Sequence, residues 1–222
     1  MVWNVIPKKI HYCWLSGEPY PDSVLRCMES WRRVLRGYEF VHWDMSKALG
    51  LKSSWIDTSI KARKWAFAAD YIRVWALYNE GGIYLDADVE VLKDLEPLLA
   101  GPLMLGQESG TGLVEAAVIG AEAGNEAIRR VLESFEPEFT DETLPERMSR
   151  TLGNAVSLLP PQVLSPKNWK TGKIDMSGDP YVIHHFEGSW LSAKERWANR
   201  IGQWFGRWTV PYTRWIFTRF GG

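Results

Sequence analysis

The sequence holds only two cysteines in 222 residues, Cys13 and Cys27. Cys13 falls in a strand-like apolar pattern and Cys27 in a helical one, so we interpret both as buried apolar side chains and exclude a disulfide framework. We expect neither an export signal nor a membrane-spanning helix, because no charged start precedes an apolar run and no stretch reaches roughly 18 apolar residues. Together these absences favour a location in the reducing cytoplasm.

An excess of one charge is also missing, since 26 basic and 27 acidic residues leave a formal net charge of −1. A nearly neutral chain argues against nucleic acid as a partner. The sequence has no internal repeat, low-complexity tract or glycine-rich phosphate loop. Tryptophan is abundant instead: 13 tryptophans exceed what a core of this size requires, so some should face a ligand or an interface.

The most informative stretch runs from Gly81 to Asp88 and has the sequence GGIYLDAD. A glycine pair followed by apolar residues predicts a buried strand, with Asp86 and Asp88 at its C-terminal end. Open α/β sheets bind their ligands at that end of their strands. Two carboxylates one residue apart supply the hard oxygen ligands that a divalent cation prefers. A metal site is therefore favoured over the alternative, a solvated acidic turn.

The residues before this stretch predict a helix that belongs to the same unit. Residues 62–79 carry apolar side chains at helical spacing. Asp70 and Arg73 stand three residues apart, so both project from one face of that helix. We expect the helix, the glycine turn, the strand and the acid pair to form one site.

The chain opens with a strand, helix and strand pattern at residues 9–15, 22–36 and 38–43. A nucleotide-binding half-sheet begins in this way, so the pattern predicts an α/β fold with a Rossmann-type sheet flanked by helices. Trp14 stands at the end of the first strand, at the crevice where an aromatic ring can stack on a nucleotide base. The alternative is that Trp14 belongs to the core.

The second half of the chain continues the alternation of strands and helices. Residues 103–106 and 114–119 are predicted strands, and residues 122–135 are a predicted amphipathic helix. Residues 136–146 are acidic and contain prolines. A solvated loop is favoured there over a lid above an acceptor site.

Three motifs occur in a fixed order along the chain. They are IPKKIHYCW at residues 6–14, the run from Asp70 and Arg73 to the acid pair, and HHFEGSW at residues 184–190. Together they resemble glycosyltransferase family 32, which includes yeast-type mannosyltransferases and bacterial capsule and O-antigen enzymes. The core is also similar to the glucosyltransferase domains of the large clostridial toxins.

The resemblance implies a GT-A-like mixed sheet in a catalytic domain over residues 1–190. The helical spacing of apolar residues in 191–222 predicts a helical extension after it. It implies a retaining hexosyltransferase that takes a sugar from a nucleotide-sugar donor, with UDP-sugars favoured. The acceptor would be a hydroxyl of a saccharide or lipid-linked saccharide, in the synthesis of a surface polysaccharide such as a capsule.

The resemblance also assigns roles to the acid pair and to the helix that precedes it. Asp86 and Asp88 would position Mn²⁺ or Mg²⁺ on the donor diphosphate, so that charge on the leaving nucleotide is neutralised. Asp70 would hold hydroxyl groups of the donor sugar or the ribose. Arg73 would assist at the sugar or the phosphate.

Further contacts are implied at the two ends of the motif set. Trp14 would stack on the base, as the matching tryptophan stacks on uracil in the toxins. Ser189 and Trp190 would donate to diphosphate oxygens or contact the metal. Neighbouring side chains alternate along the last predicted strand, so only one of His184 and His185 can face the site. The family pattern favours His184 as a metal or phosphate contact, with His185 as the alternative and a structural histidine as the other interpretation.

Two departures from the family pattern concern the acceptor side. Ala116 stands where the family commonly has an asparagine, and residues 152–154 replace its Thr-Gly-Pro block. Both leave the predicted metal and nucleotide site intact. The identity of the acceptor therefore does not follow from the resemblance.

The tail, residues 191–222, combines six basic residues and one acidic residue with an aromatic stripe. The stripe consists of Trp197, Ile201, Trp204, Phe205 and Trp208, at helical spacing. Aromatic and basic residues together suit an anionic membrane surface, so we expect peripheral attachment to the cytoplasmic face. The alternative is that the stripe packs back on the domain.

Two other function classes compete with a glycosyltransferase. A haloacid-dehalogenase-type phosphatase also ends a strand in Asp-x-Asp and binds Mg²⁺, but its motif comes early and has Thr or Val where this chain has Glu90. In the second class, a membrane-bound, nucleotide-sensing scaffold, the tail would carry the function. The intact acids and both flanking motifs favour the transferase.

Overall fold

The computed structural model of the protein describes residues 6–136 and 139–186. Its centre is a five-stranded mixed sheet in the order β2-β1-β3-β6-β5. The strands β1 and β2 are parallel, β1 and β3 are parallel, and β6 is antiparallel to both β3 and β5. The bounds of these strands are Lys9–Cys13 for β1, Glu39–Trp43 for β2, Gly82–Leu85 for β3, Leu103–Gln107 for β5 and Val114–Ala121 for β6.

A second, two-stranded antiparallel sheet lies beside the acid pair. It consists of β4 (Val89–Val91) and β7 (Val182–His184), and Val89 pairs with His184. Because β4 follows β3 after only three residues, this pairing brings the end of β7 to the turn that contains the two aspartates. The last predicted strand, residues 181–186, is shorter in the structure, because β7 ends at His184 and Phe186 has a φ of 53°.

Helices cover the sheet on both faces, as the sequence predicts. Their bounds are Asp22–Val34 for α1, Met45–Gly50 for α2, Ser54–Lys61 for α3, Trp65–Glu80 for α4, Glu126–Glu133 for α5, Leu144–Leu152 for α6 and Pro161–Leu164 for α7. None of the helices in the described ranges is long and apolar enough to cross a membrane.

The strand β3 separates two hydrophobic clusters. Ile83 and Leu85 pack with Trp31 of α1 in one cluster, and Tyr84 packs with Ile72 of α4 in the other. Successive side chains of a strand point to opposite faces, so a short apolar strand can join two cores. All four residues of β3 are buried, so the two aspartates follow directly after a buried strand.

The turn between α4 and β3 requires its two glycines. Gly81 and Gly82 both have positive φ angles, 65° and 111°, where side chains are disfavoured. A Cβ atom on Gly82 would lie 2.6 Å from the carbonyl oxygen of Lys9, and one on Gly81 would lie 2.7 Å from the amide nitrogen of Ala123. The glycine pair therefore allows the helix to turn directly into a strand beside β1.

Three predicted boundaries were wrong for local backbone reasons. The helix expected from residue 62 begins at Trp65, because Arg63 has a φ of 56° and separates α3 from α4. The helix expected from residue 122 begins at Glu126, where the Asn125 side chain accepts hydrogen bonds from the first helical amides. The predicted loop at residues 136–146 ends in α6, which Thr143 and Glu146 cap reciprocally.

Cys13 and Cys27 are free and buried, as predicted. The predicted domain boundary at residue 190, together with Ser189, Trp190 and the tail, lies outside the described residues. The expectations for that part of the chain stay predictions.

Candidate active site

A cavity of about 1040 Å³ opens at the C-terminal ends of β1 and β3. Its lining includes the residues that the sequence singled out within the described ranges, namely Trp14, Asp70, Arg73, Asp86, Asp88 and His184. The structure thus brings together one aromatic side chain, three aspartates, one arginine and one histidine from four separate segments. An open α/β sheet is expected to bind its ligand at this position.

Arg73 connects the helix to the acid pair. Its guanidinium lies 2.9 Å from Asp70 Oδ1 and 3.2 Å from Asp86 Oδ2, and it donates to the carbonyl oxygen of Ala116 at 2.7 Å. The same group lies 4.4 Å from the centroid of the Tyr84 ring, and Tyr84 donates to Asp86 Oδ1 at 3.2 Å. Asp86 is therefore held in one orientation through both carboxylate oxygens.

Burial and neighbouring charges shift the pKa values of Arg73 and Asp70 in ways that differ between the two groups. Burial lowers the pKa of Arg73, but Asp86, Tyr84 and Asp70 outweigh burial and keep the guanidinium charged. Burial also raises the pKa of Asp70 to about 6; Arg73 opposes this shift, whereas the charge of Asp86 adds to it. Asp70 is consequently a carboxyl group that changes its charge near neutral pH at the wall of the cavity.

His184 faces the acid pair and His185 does not. In the described part of the chain, the ligand atoms of Asp86, Asp88 and His184 lie within 4.8 Å of one another. His185 lies on the other side of β7, where its Nε2 atom is 3.0 Å from Glu90 Oε2. The alternation of side chains along a strand accounts for this separation.

The chemistry of the trio fits a divalent cation. Both ring nitrogens of His184 are buried and have no hydrogen-bond partner among the described residues, and Nε2 lies 3.6 Å from Asp88 Oδ1. Two carboxylates are suitable ligands for Mn²⁺ or Mg²⁺, and the imidazole nitrogen suits the softer Mn²⁺ better than Mg²⁺, which prefers oxygen ligands. Two ligand atoms at about 2.1 Å from one ion lie at most about 4.2 Å apart, so the separations within 4.8 Å are close to those of a shared site.

The sequence analysis missed Glu115, which lies on β6 behind His184. Only 1% of its surface is exposed, and Oε1 lies 3.3 Å from Nδ1 of His184. Oε1 also accepts from the amide of Ala117 at 2.8 Å, while Oε2 accepts from the hydroxyl of Ser165. The signal was present in the sequence, because Glu115 is the one charged residue in the otherwise apolar and fully buried strand VEAAVIGA.

The pair of Glu115 and His184 is charged before a metal binds. Burial alone lowers the pKa of His184, but Asp88 and Glu115 outweigh it and raise the pKa to about 9. Burial alone raises the pKa of Glu115, yet His184 and the hydrogen bonds from Ser165 and Ala117 lower it. Glu115 thus stays ionised and orients the ring whose other nitrogen faces Asp88, as carboxylates commonly do behind metal-binding histidines.

Trp14 forms part of the cavity wall. Its Nε1 atom donates to the carbonyl oxygen of Glu18 at 2.6 Å, and its ring lies 4.8 Å from the ring of Tyr20 with the two planes tilted by 46°. A tryptophan held at its polar end and packed against a second ring is well placed to stack on a planar ligand. Of the two departures from the family pattern, Ala116 lines the cavity, and residues 152–154 are absent from its described lining.

Comparisons with known proteins match the part of the chain that contains the acid pair. Residues 21–105, which include the acid pair, match the family model described as a glycosyltransferase sugar-binding region containing a DXD motif. The chain is 30% identical over 138 residues to inositol phosphoceramide mannosyltransferase 3 of Schizosaccharomyces pombe, a match that covers 60% of this chain and 38% of that protein. It is also 30% identical over 101 residues to the uncharacterized glycosyltransferase L373 of Acanthamoeba polyphaga mimivirus, covering 43% and 40%. The chain thus spans less than half the length of these relatives.

Solved structures share the fold at low sequence identity. The PaToxG glycosyltransferase matches with a TM-score of 0.54 and 16% identity, over 69% of this chain and 71% of that one. The glycosyltransferase GlyE of Streptococcus pneumoniae TIGR4 matches with a TM-score of 0.52 and 15% identity, over 95% and 64%. The galactosyltransferase LgtC matches with a TM-score of 0.50 and 13% identity, over 88% and 94%.

The fold and the matched region define the class of the protein. The predicted GT-A-like mixed sheet is confirmed, and so is the resemblance to the DXD glycosyltransferases. The matched residues 21–105 contain one Asp-x-Asp motif, which Asp86 and Asp88 form.

Proposed function

We propose that the protein transfers a hexosyl group from a nucleotide-sugar donor, with UDP-sugars favoured, to a hydroxyl of a saccharide or lipid-linked saccharide. The observation that carries this proposal is the convergence of Asp86, Asp88 and His184 in a cavity that Trp14 and Asp70 also line. The S. pombe relative is named an inositol phosphoceramide mannosyltransferase, which supports a sugar or a lipid headgroup as the acceptor. Synthesis of a surface polysaccharide such as a capsule is the proposed setting.

Different residues of the cavity bind different parts of the donor. Asp86, Asp88 and His184 would hold Mn²⁺ or Mg²⁺, which neutralises charge on the leaving nucleoside diphosphate when it is bound. Arg73 fixes the carboxylate of Asp86 through an ion pair at 3.2 Å, so that ligand is oriented before the donor arrives. Asp70 accepts hydrogen bonds from donor hydroxyls, and Trp14 stacks on the base. Ser189 and Trp190 would complete the diphosphate contacts.

Retention of the anomeric configuration is part of the proposal and follows the resemblance to family 32. Two routes are compatible with it. In one, the acceptor attacks from the side of the leaving phosphate, which takes the proton of the attacking hydroxyl. In the other, a carboxylate first forms a covalent glycosyl intermediate.

The structure offers little to the rival phosphatase. That class needs a lysine beside its acid pair, and none of the described residues that line the cavity is a lysine. Besides His184, the cations among the described residues of the wall are Arg63 and Arg73, of which Arg73 is already paired with two aspartates. A permanently paired guanidinium orients ligands but moves no proton.

One experiment separates these functions. The protein is incubated with a panel of nucleotide sugars and Mn²⁺, and the release of nucleoside diphosphate is scored against the release of inorganic phosphate. We expect nucleoside diphosphate from one donor, dependent on metal and increased by a saccharide acceptor. Release of inorganic phosphate without nucleoside diphosphate would refute the proposal and support the phosphatase, whereas binding without turnover would support the scaffold.

A further inference from the structure

An exposed tryptophan, Trp169, lies on a hydrogen-bonded turn at the wall of the cavity. Trp169 is 43% exposed and lines the same cavity as the acid pair. Its amide donates to the carbonyl oxygen of Ser109 at 3.0 Å, which joins the turn at residues 167–173 to the loop at residues 108–113. Single exposed apolar side chains are common on protein surfaces, so it is the position of the indole in the cavity wall, and not its exposure alone, that makes it available to a ligand.

The two loops are rigid around Trp169. The Oδ1 atom of Asn168 accepts from the backbone amides of Lys170 and Thr171 at 3.0 and 2.9 Å. The backbone amide of Asn168 donates to the carbonyl oxygen of Lys173 at 2.7 Å. Gly110 packs so closely that an added Cβ atom would lie 2.9 Å from the Asn168 side chain. The indole therefore sits on a preorganised backbone, which lowers the entropic cost of binding.

Glu108 adds a polar group to the same wall. It is 7% exposed, its Oε1 atom accepts from the Thr111 hydroxyl at 2.6 Å, and its backbone pairs with Leu113 at 2.8 Å. Within the described part of the chain, Oε2 receives no hydrogen bond, although Glu108 lines the cavity. A nearly buried carboxylate with one unused oxygen can accept a hydrogen bond from a ligand hydroxyl.

Trp169 and Glu108 are not needed to bind the proposed donor. Asp86, Asp88 and His184 already account for its diphosphate. Asp70 and Arg73 account for its sugar, and Trp14 accounts for its base. A pyranose ring presents an apolar C–H face and an edge of hydroxyls, so an aromatic ring beside a carboxylate matches it in both respects. A lipid chain would use the indole but not the carboxylate, and a phosphate would be repelled by Glu108.

We propose that Trp169 and Glu108 form the acceptor subsite, in which a neutral hexopyranose lays its C–H face on the indole and donates a hydroxyl to the Glu108 carboxylate. This inference rests on the proposed transfer, because it assigns the second substrate of the same cavity. It makes the sugar ring, and not a lipid or peptide portion, the part of the acceptor that the described residues recognise.

The test measures glycoside binding and acceptor kinetics separately in the full-length protein. Saturation-transfer NMR is recorded with methyl α-mannoside, methyl β-galactoside and methyl α-glucoside in the presence of UDP and Mg²⁺, which is diamagnetic and leaves the glycoside signals sharp. We expect a signal from the ring protons of at least one glycoside, lost in Trp169→Ala and retained in Trp169→Phe. Phe40→Ala is the matched control, because Phe40 is 38% exposed and is absent from the described lining of the cavity.

Kinetics give the second readout. Trp169→Ala should raise the acceptor KM by about tenfold or more with a smaller change in kcat, since the lost stacking acts on binding. Glu108→Gln should raise the same KM, and calorimetry should show nucleoside diphosphate bound with the parent affinity in both variants.

Each result decides one of the two proposals. If the parent turns over no nucleotide sugar, the proposed function fails and the acceptor role fails with it, while a glycoside signal that depends on Trp169 would show only sugar binding at this wall. If the parent is active but gives no glycoside signal, the subsite is refuted. It is likewise refuted if Trp169→Ala and Phe40→Ala have equal signals and equal acceptor KM values.

Discussion

At the scale of single residues, the described part of the chain contains two glutamate–histidine pairs on opposite sides of β7. Glu115 contacts His184 inside the site, and Glu90 contacts His185 outside it, at 3.3 and 3.0 Å. The inner pair has a fully buried glutamate, whereas Glu90 is partly exposed. The two pairs therefore provide a natural comparison between a carboxylate that positions a metal ligand and one that forms a surface contact.

Replacing Glu115→Gln should weaken Mn²⁺ binding by about 10- to 100-fold, because an orienting carboxylate behind a ligand histidine contributes that much. Glu90→Gln is the matched control and should leave the affinity at the parent value. Electron paramagnetic resonance of free Mn²⁺ measures both without reference to turnover. Equal affinities in the two variants would mean that Glu115 is only a core residue.

Asp70 links stability to pH through its raised pKa. Its pKa of about 6 in the folded chain exceeds its ordinary value of 3.8, so the folded state holds the proton more tightly than the unfolded state. The stability of the fold should therefore fall as the pH rises from about 4 to about 6 and then level off. An ionised Asp70 costs stability at neutral pH, and we attribute its retention to the donor contact.

Asp70→Asn should remove the loss of stability that an ionised Asp70 causes at neutral pH. The variant should melt a few degrees above the parent at pH 8, and the difference should shrink as the pH falls through 6 towards 4. Turnover should be lost, because the amide cannot reproduce the carboxylate contact to donor hydroxyls. The exposed Asp57→Asn is the control. A melting difference that does not change with pH would contradict the assigned pKa.

At the scale of elements, local signals in the sequence predicted the unit of α4, β3 and the acid pair. Helical spacing, a glycine pair and a run of buried residues are all local signals, and they placed Asp70, Arg73, Asp86 and Asp88 in one cavity. Non-local pairing was harder to predict. The position of β6 between β3 and β5 depends on contacts between segments about 35 residues apart, which no local period reveals.

Two misses at this scale have physical causes. Residues 136–146 looked like a solvated loop because they are acidic, but their last residues cap α6, and Leu144 is buried. Glu115 was passed over because it interrupts an otherwise apolar strand, a pattern that predicts a core position. A lone charged residue in a buried strand needs a partner, and that requirement is the signal that could have identified it.

The glycine turn provides a test of the element. Gly82→Ala should destabilise the protein strongly, because the new Cβ atom would lie 2.6 Å from the Lys9 carbonyl and would push β3 away from β1. Gly37→Ala is the matched control: Gly37 also has a positive φ, 81°, but nothing lies within 4 Å of its Cβ position. The control should show only the backbone cost of about 1 kcal/mol. Equal losses of stability by chemical denaturation would contradict the close approach.

At the scale of the whole molecule, charge is distributed unevenly along the chain. The net charge of the chain is −1, and residues 191–222 carry +5, so the remainder carries −6. We propose that the tail attaches the enzyme to the cytoplasmic face of an anionic membrane, where a lipid-linked acceptor would be accessible. Each basic residue near such a surface contributes roughly 1 kcal/mol to attachment.

Replacing Arg196, Arg200 and Arg207 together with glutamine should abolish sedimentation of the full-length protein with vesicles rich in anionic phospholipid. High salt should weaken the sedimentation of the parent in the same way. Replacing three basic residues outside the tail, Arg26, Arg33 and Lys61, is the control for net charge. Sedimentation that ignores both the tail charges and the salt would favour the alternative, in which the tail packs on the domain.

The central claim is that Asp86, Asp88 and His184 bind the donor through a metal. The most direct measurement is calorimetric titration of UDP into the parent and into Asp88→Asn, each with and without Mn²⁺. We predict that Mn²⁺ strengthens the binding of UDP to the parent by at least about tenfold, because an ion held by Asp86, Asp88 and His184 would neutralise charge on the diphosphate. Asp88→Asn should lose this gain while its circular dichroism spectrum matches that of the parent. Equal UDP affinity in the parent with and without Mn²⁺ would contradict the account.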